Sequence, residues 1–284
     1  MAEHFAAPPQ WEWYIIWYFF LGGLAGGAYA LGAILRLMGN PRDAGLARLA
    51  FLISFPALVL CPILLTLDLG QPLRFWHMLI DSRTMMPTLK YWSPMSVGAW
   101  VLLIFSVFSF VSFLEALGVI GAALRGAGGA LFVAVGGFFG LFLAGYTGIL
   151  LSVSNQVMWS DTWALGGLFL ASGLSVATAA IELLARLRPT PVTGENKLWR
   201  ADRFFIVLEL ALLVVFFVSL GAVGGRFLDP RWLVLWIVVL AGTLVPLAIR
   251  LGAPGRHGRA LLACLLVLIG GFALRVAVIF SAQL

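Results

Sequence analysis

An apolar run ending at Leu67 is followed by Asp68-Leu69-Gly70-Gln71-Pro72-Leu73-Arg74-Phe75-Trp76. The segment sets an acid, an amide, an arginine and two aromatic rings at the mouth of a helix, a group able to exchange a proton and to hold polar atoms. Ionisable groups at membrane depth usually mark function. The plainer alternative is structural: Asp68 turns the chain, Gly70 and Pro72 break the helix, and Trp76 anchors it in an interface.

The surrounding composition decides what kind of element can position this group. With 62% hydrophobic residues, 11% charged residues and a mean hydropathy of +1.04, the sequence reads as an all-α polytopic membrane protein and excludes a soluble domain. A hydrocarbon core of about 30 Å needs roughly 20 helical residues. Eight stretches qualify: Trp13–Leu35, Leu46–Leu67, Pro94–Leu117, Ala130–Val153, Trp163–Leu184, Phe204–Gly224, Trp232–Ile249 and Ala260–Phe280. These runs are too long for barrel strands and lack period-2 alternation. The whole chain, 1–284, is expected to be one integral membrane domain, with the helices in 13–117 and 130–280. No cleavable signal is evident, since the N-terminus carries Glu3 and Glu12 where a basic cluster would stand.

Basic residues fall unevenly between the connections. One side holds Arg36, Arg42, Arg48, Arg125, Arg186, Arg188, Lys197, Arg200, Arg203, Arg250, Arg256 and Arg259, and the other Arg74, Arg83, Lys90, Arg226 and Arg231. The first side is expected to be cytoplasmic, which puts both termini and Asp68 on the outer side. Topology and anionic lipid account for the net charge of +6 without a nucleic-acid partner. Of the tryptophans, only Trp199 lies near the inner face. The outer excess suits a docked protein, the wall of a flat ring-shaped ligand, or lipid preference.

Phe19-Phe20-Leu21-Gly22-Gly23-Leu24 lines up with Phe169-Leu170-Ala171-Ser172-Gly173-Leu174. Their helices run in the same direction, so a parallel repeat of two four-helix bundles is expected. Gly22 with Gly26, Gly23 with Gly27, and Gly136 with Gly140 have the spacing of close helix packing. The only histidines, His4, His77 and His257, stand in tails or connections and offer no helix-borne pair for b-type haem. Cys61 and Cys264 form no iron–sulfur ligand cluster, and no phosphate-cradling loop occurs. No resident metal is therefore expected.

Together these residues resemble the NrfD-like family, membrane subunits of polysulfide reductase and related respiratory oxidoreductases. The resemblance rests on Phe20-Leu21-Gly22-Gly23-Leu24-Ala25-Gly26-Gly27-Ala28-Tyr29, on Leu67 to Trp76, on Ser93-Pro94-Met95-Ser96-Val97-Gly98-Ala99-Trp100, on Tyr146-Thr147-Gly148-Ile149-Leu150-Leu151 and on Leu274-Arg275-Val276-Ala277-Val278. It implies an eight-helix subunit of a bacterial or archaeal cytoplasmic membrane. Such a subunit exchanges electrons between quinone, menaquinone or ubiquinone, and an iron–sulfur partner serving a catalytic subunit that often carries molybdopterin. Tyr18 stands where some relatives carry a histidine. The tail Phe280-Ser281-Ala282-Gln283 stands where relatives often end Ala-Gly-Gln.

A quinone headgroup needs donors at its carbonyls, a proton-exchanging group and an apolar slot for its tail, all at one depth. Asp68 is assigned as the proton-exchanging group, Tyr18 and Tyr146 as carbonyl donors, and Gln71 and Arg74 as electrostatic support. Asn155, Trp159 and Asp161 share the same side. Glu209 and Arg275 are candidates for a proton path. Glu209 is expected near the inner end of its helix, too distant in depth to pair with Arg275, which would meet Asp68 or Asp161. Glu182 or Glu115 could join Glu209 at the start of an inner polar path, but both are expected to snorkel at the inner boundary. The alternatives are a secondary transporter rocking around a midplane site with Glu209 or Arg275 coupling substrate to protons, and a passive membrane anchor for an extramembrane enzyme.

Overall fold

The computed structural model describes residues 10–188, 194–252 and 257–283; Glu3, His4 and Arg256 lie outside them. Eight helices among the described residues are long and apolar enough to cross a membrane. They are α1 (Trp13–Leu37), α2 (Ala44–Asp68), α3 (Pro94–Leu117), α4 (Gly126–Ser152), α6 (Leu165–Leu187), α7 (Glu195–Leu220), α8 (Pro230–Leu251) and α9 (His257–Phe280); the short α5 (Val157–Ser160) lies between α4 and α6. The expected spans are all present. Their ends differ most at α7, which starts at Glu195 where hydropathy placed the start at Phe204. His257, expected in a connection, opens α9.

Local chemistry sets several helix ends. Pro94 and Pro230 stand at the first positions of α3 and α8, where a missing N–H leaves no helix bond unmade. Gly118 ends α3 with φ +87°, a left-handed cap that favours glycine. Apolar side chains such as Val107 on α3, Val214 and Val218 on α7 and Val234 on α8 are exposed, as lipid-facing surfaces require.

Helices α1 and α6 are central: 78% and 83% of their most apolar stretches are buried, against 28% for α7 and for α8. Helix α1 packs on α2, α4 and α6, while α6 also packs on α4, α7 and α9. Glycine makes these approaches possible. A Cβ added at Gly26 would collide with the Gly140 carbonyl oxygen, and one at Gly27 would stand 2.7 Å from that of Gly173. Adjacent stripes of α1 therefore face different partners, with Gly22 and Gly26 toward α4 and Gly23 and Gly27 toward α6. Across the second contact, Phe19 meets Phe169 edge to face at 6.1 Å and Gly23 meets Gly173. These are positions that line up in the two similar sequence segments, and each touches its own counterpart.

The two ends of the described chain meet on one face, called here the terminal face. Trp11 N–H donates to Gln283 Oε1 at 2.9 Å, and Gln283 Nε2 returns a bond to Trp11 O at 3.2 Å. Gln156 Nε2 donates to Ala282 O. Trp159 stacks on Trp11 at 5.1 Å and donates its indole N–H to Val278 O at 2.9 Å. Trp159 is thus a buried tie between the α4–α6 connection, the N-terminal segment and α9.

Replacing Gly27 by Val should destabilise the protein by about 1–3 kcal/mol, the usual range for overpacking, because the blocking atom is backbone. Thermal unfolding in detergent would measure it. Gly70→Ala, where a Cβ meets nothing within 4 Å, should leave the midpoint unchanged.

Candidate functional site

Four helices contribute to one cluster below the terminal face. Tyr18 stands five residues into α1, Cys61 seven residues before the end of α2, and Tyr146 six residues before the end of α4. At 1.5 Å per residue all three lie about 8–10 Å below their helix ends. Both tyrosines are buried, and Tyr18 lies within electrostatic reach of Tyr146 and Cys61. The Tyr146 hydroxyl donates to Pro94 O of α3 at 2.6 Å. It lies across Gly98, where an added Cβ would collide with the hydroxyl oxygen. The Tyr18 hydroxyl has no hydrogen-bond partner among the described residues, and beside it a Cβ at Gly22 would only reach van der Waals contact with Thr147 and the Tyr18 ring. The cluster thus holds one phenol without a partner among the described residues, a second bound only to a backbone carbonyl, and two glycines beside them.

Asp68 closes α2 on the same stripe as Cys61, about 10 Å further toward the terminal face. It is half-buried and within electrostatic reach of Glu12, the residue preceding α1. Glu12 was missed as a site residue because the sequence places it in a tail; only the α1–α2 contact brings the two carboxyl groups together. The structure does not gather the rest of the expected set. Gln71 and Arg74 are exposed in the turn Pro72–Met78 and its approach. Asn155 and Asp161 are exposed in the α4–α6 connection. Trp159 is structural, as described above.

A second polar column lies across α1, among α6, α7, α8 and α9. Fully buried Arg275 donates to Ser172 Oγ at 3.0 Å, to Gly271 O at 2.5 Å, to Phe19 O at 3.3 Å and to Phe169 O at 3.5 Å. It stands over the Phe169 ring at 5.3 Å. It does not meet Asp68 or Asp161. Glu209 interacts with Ser172 and feels the charge of Arg275, and its Oε1 has no hydrogen-bond partner. The expectation of wide separation fails because α7 begins two and a half turns earlier than hydropathy placed it, which moves Glu209 to mid-helix.

Toward the opposite face the column continues through Glu182 and through two side chains, Asp202 and Arg250, not singled out from the sequence for this role. Ser175 donates to Asp202 Oδ1 at 2.9 Å. Arg250 pairs with Asp202 and, at 2.8 Å, with Glu182. Glu182 also accepts from Arg186 Nε at 2.9 Å. Glu182, Asp202 and Arg250 are all fully buried, so Glu182 does not snorkel. Glu115 is likewise paired, held by both terminal nitrogens of Arg36. In each case a neighbouring arginine removes the reason for a carboxylate to reach for water. A signal for Asp202 was present: Leu198, Asp202, Ile206, Glu209 and Leu213 fall on one helical face, and all are buried.

Among the described residues no group of three or more His, Cys, Asp or Glu could hold a metal. What the two clusters offer is hydrogen-bond donors and proton-carrying groups.

The sequence profile described as polysulphide reductase, NrfD, matches residues 3–284. The sequence is 30% identical to a polysulfide reductase chain of Wolinella succinogenes, across 96% of this protein and 94% of that one. It is 26% identical to protein NrfD of Escherichia coli, across 96% and 95% respectively. A shorter match, 28% identical, joins 32% of this protein to 19% of a selenate reductase subunit of Mesobacillus selenatarsenatis. A profile that spans almost every residue, together with 30% identity to a full-length relative, establishes that this multi-pass membrane protein belongs to the NrfD family.

Proposed function

We propose that the protein is the quinone-reactive membrane subunit of a multisubunit respiratory reductase. It exchanges electrons between menaquinone or ubiquinone and an iron–sulfur partner, which serves a catalytic subunit of the molybdopterin-dependent kind. The observation that carries this reading is the unpartnered Tyr18 hydroxyl within electrostatic reach of Tyr146 at one depth, about 10 Å deeper than Asp68. The names of the relatives, one a chain of polysulfide reductase and another a subunit of selenate reductase, support the assembly. Exposed Leu73, Phe75, Tyr91, Trp92 and Trp163 give the terminal face an aromatic surface suited to docking those partners.

Bound quinone supplies two-electron, two-proton redox chemistry. The protein's part is placement and proton handling. The Tyr18 hydroxyl donates to one ring carbonyl, and Tyr146 can turn its hydroxyl from Pro94 O to another. Asp68 holds or releases a proton at its carboxyl, with Glu12 beside it raising the cost of a second negative charge. Gln71 and Arg74, at the rim, act through the local field alone. Glu209, Ser172 and Arg275 form the inner part of a proton path that Asp202 and Glu182 extend toward the arginine-rich face. That face is cytoplasmic on the positive-inside rule, so both termini and the docking surface are outer. The helix contacts, with each of Phe19 and Gly23 meeting its repeat counterpart, support two four-helix bundles, α1–α4 and α6–α9, about a two-fold-like axis.

Replacing Asp68 with Asn should lower quinone turnover by about a hundredfold, the low end for loss of a proton-transferring group, while assembly of the complex remains intact. Steady-state turnover of the purified complex checks this. Normal turnover would overturn the assignment of Asp68 as the proton-exchanging group. Tyr18→Phe should weaken quinone binding, raising KM more than it lowers kcat.

The mid-helix Glu209 with an unpartnered oxygen also suits a transporter, which would move substrate in proteoliposomes without partner subunits. On the redox reading Glu209→Gln should slow proton uptake from the arginine-rich side, followed with a pH-sensitive dye in proteoliposomes, without changing quinone affinity. Unaltered uptake would remove Glu209 from the path.

A further inference from the structure

Two clefts open on the face opposite the termini; the first lies apart from the polar columns above, and the second borders one of them at Arg250. The first, of about 570 Å³, lies where α1 and α3 end and α2 begins. Leu35, Ala47 and Phe51 form its apolar floor, and Arg36, Arg48 and Arg125 stand around it. Both Arg36 terminal nitrogens engage Glu115, and one also donates to Leu124 O. Arg48 commits only Nε, to Ala116 O at 2.6 Å. Arg125 has no partner among the described residues. Arg48 thus covers one carbonyl of the last turn of α3, Ala116 O, while its terminal nitrogens and the whole Arg125 guanidinium remain available to an anion.

We propose that this cleft binds the phosphate of an anionic phospholipid, held by Arg48 and Arg125, with the acyl tails leaving over Phe51 into the bilayer.

Depth favours a lipid. Helix α1, with 25 residues, is about 37 Å long, longer than the hydrocarbon thickness of about 30 Å. Its last turn therefore reaches the headgroup layer, where arginine pockets between helices recognise acidic lipid. The guanidinium fork suits phosphate oxygens better than a point charge would.

The second cleft carries the same argument independently. It measures about 390 Å³ and lies between the start of α7 and the end of α8. Arg200 and Arg203 line it without partners among the described residues, while its third arginine, Arg250, is neutralised by Glu182 and Asp202. Under the parallel repeat, α7 and α8 correspond to α2 and α3. Two equivalent corners of the molecule thus carry two unpaired arginines each.

The test is native mass spectrometry of the purified complex released from nanodiscs of equimolar phosphatidylglycerol and phosphatidylcholine, with lipid titration of the delipidated complex. Phosphatidylglycerol should be retained in preference to phosphatidylcholine. Arg48→Ala with Arg125→Ala should weaken its binding about 25-fold, roughly fivefold for each arginine near a surface, and Arg83→Ala on the terminal face should leave it unchanged. If the double variant does not assemble, Arg125→Gln carries the test, since its side chain makes no bond to lose. Equal retention of both lipids, or indifference to the variants, overturns the proposal. Displacement by millimolar inorganic phosphate assigns the cleft to a soluble anion and overturns it too. Retention by the isolated protein but not by the complex assigns the cleft to a partner protein, with the same consequence.

Discussion

The crossing of α1 over α6 is the constraint on which the rest depends. At Gly23, Gly27 and Gly173 the two backbones approach so closely that a single added Cβ at Gly27 would collide with a carbonyl oxygen. Between apolar helices in lipid there is no water to expel, so association rests on packing and on hydrogen bonds. Glycine supplies the packing here, and Arg275 supplies the bonds. Its guanidinium reaches Phe19 O on α1 and Phe169 O on α6, the two phenylalanines that meet just beyond the crossing. One cation therefore ties both central helices to α9. The same side chain would lie 3.0 Å from a Cβ at Gly23, so the glycine is needed for the arginine as well as for the helix contact.

Buried charges in this protein are handled in two ways. Arg250 has two carboxylates, Asp202 and Glu182, and rests against the Trp199 ring at 4.9 Å. Such a network is worth little against a well-packed apolar substitute but is costly to break at one member. Arg275 has no carboxylate at ion-pair distance among the described residues and is held by carbonyls, a hydroxyl and aromatic faces. Glu209, one serine away, keeps an oxygen without a partner. The first arrangement closes the arginine-rich end of α6–α9, and the second leaves one acid in mid-membrane with capacity to spare for a proton.

Hydropathy made the centre of every span legible, because about 20 consecutive apolar residues leave few other structures open. It misplaced the start of α7 for a physical reason. Lys197, Arg200, Asp202 and Arg203 depress a hydropathy average, yet Asp202 is buried against Arg250 and Lys197 pairs with Asp43 of the α1–α2 connection. Partners distant in sequence had cancelled the charges that the average counted. From that one displaced boundary followed the wrong depth for Glu209 and the omission of Asp202. Tyr18 and Tyr146 lie at one depth, as expected, because depth can be counted along a helix from its end. Glu12 beside Asp68, and the bonds joining Trp11 to Gln283, were not legible, since nothing local records which tails meet.

Tyr18 and Phe19 are adjacent on α1 with their rings 5.4 Å apart, and they belong to different clusters. The Tyr18 ring enters the cluster with Tyr146 and Cys61, whereas the Phe19 carbonyl accepts from Arg275 and its ring meets Phe169. Helix α1 is thus a single wall shared by the phenol cluster and by the charged column, and its glycine stripes fix its rotation about its own axis. A turn of α1 large enough to move the Tyr18 hydroxyl would have to pull Phe19 O from Arg275 and drive Gly26 or Gly27 into a neighbouring carbonyl. Packed helices resist such motion in small steps. Any influence of one cluster on the other would therefore pass as charge or as hydrogen-bond exchange through Arg275 and Ser172, with the helix itself held still.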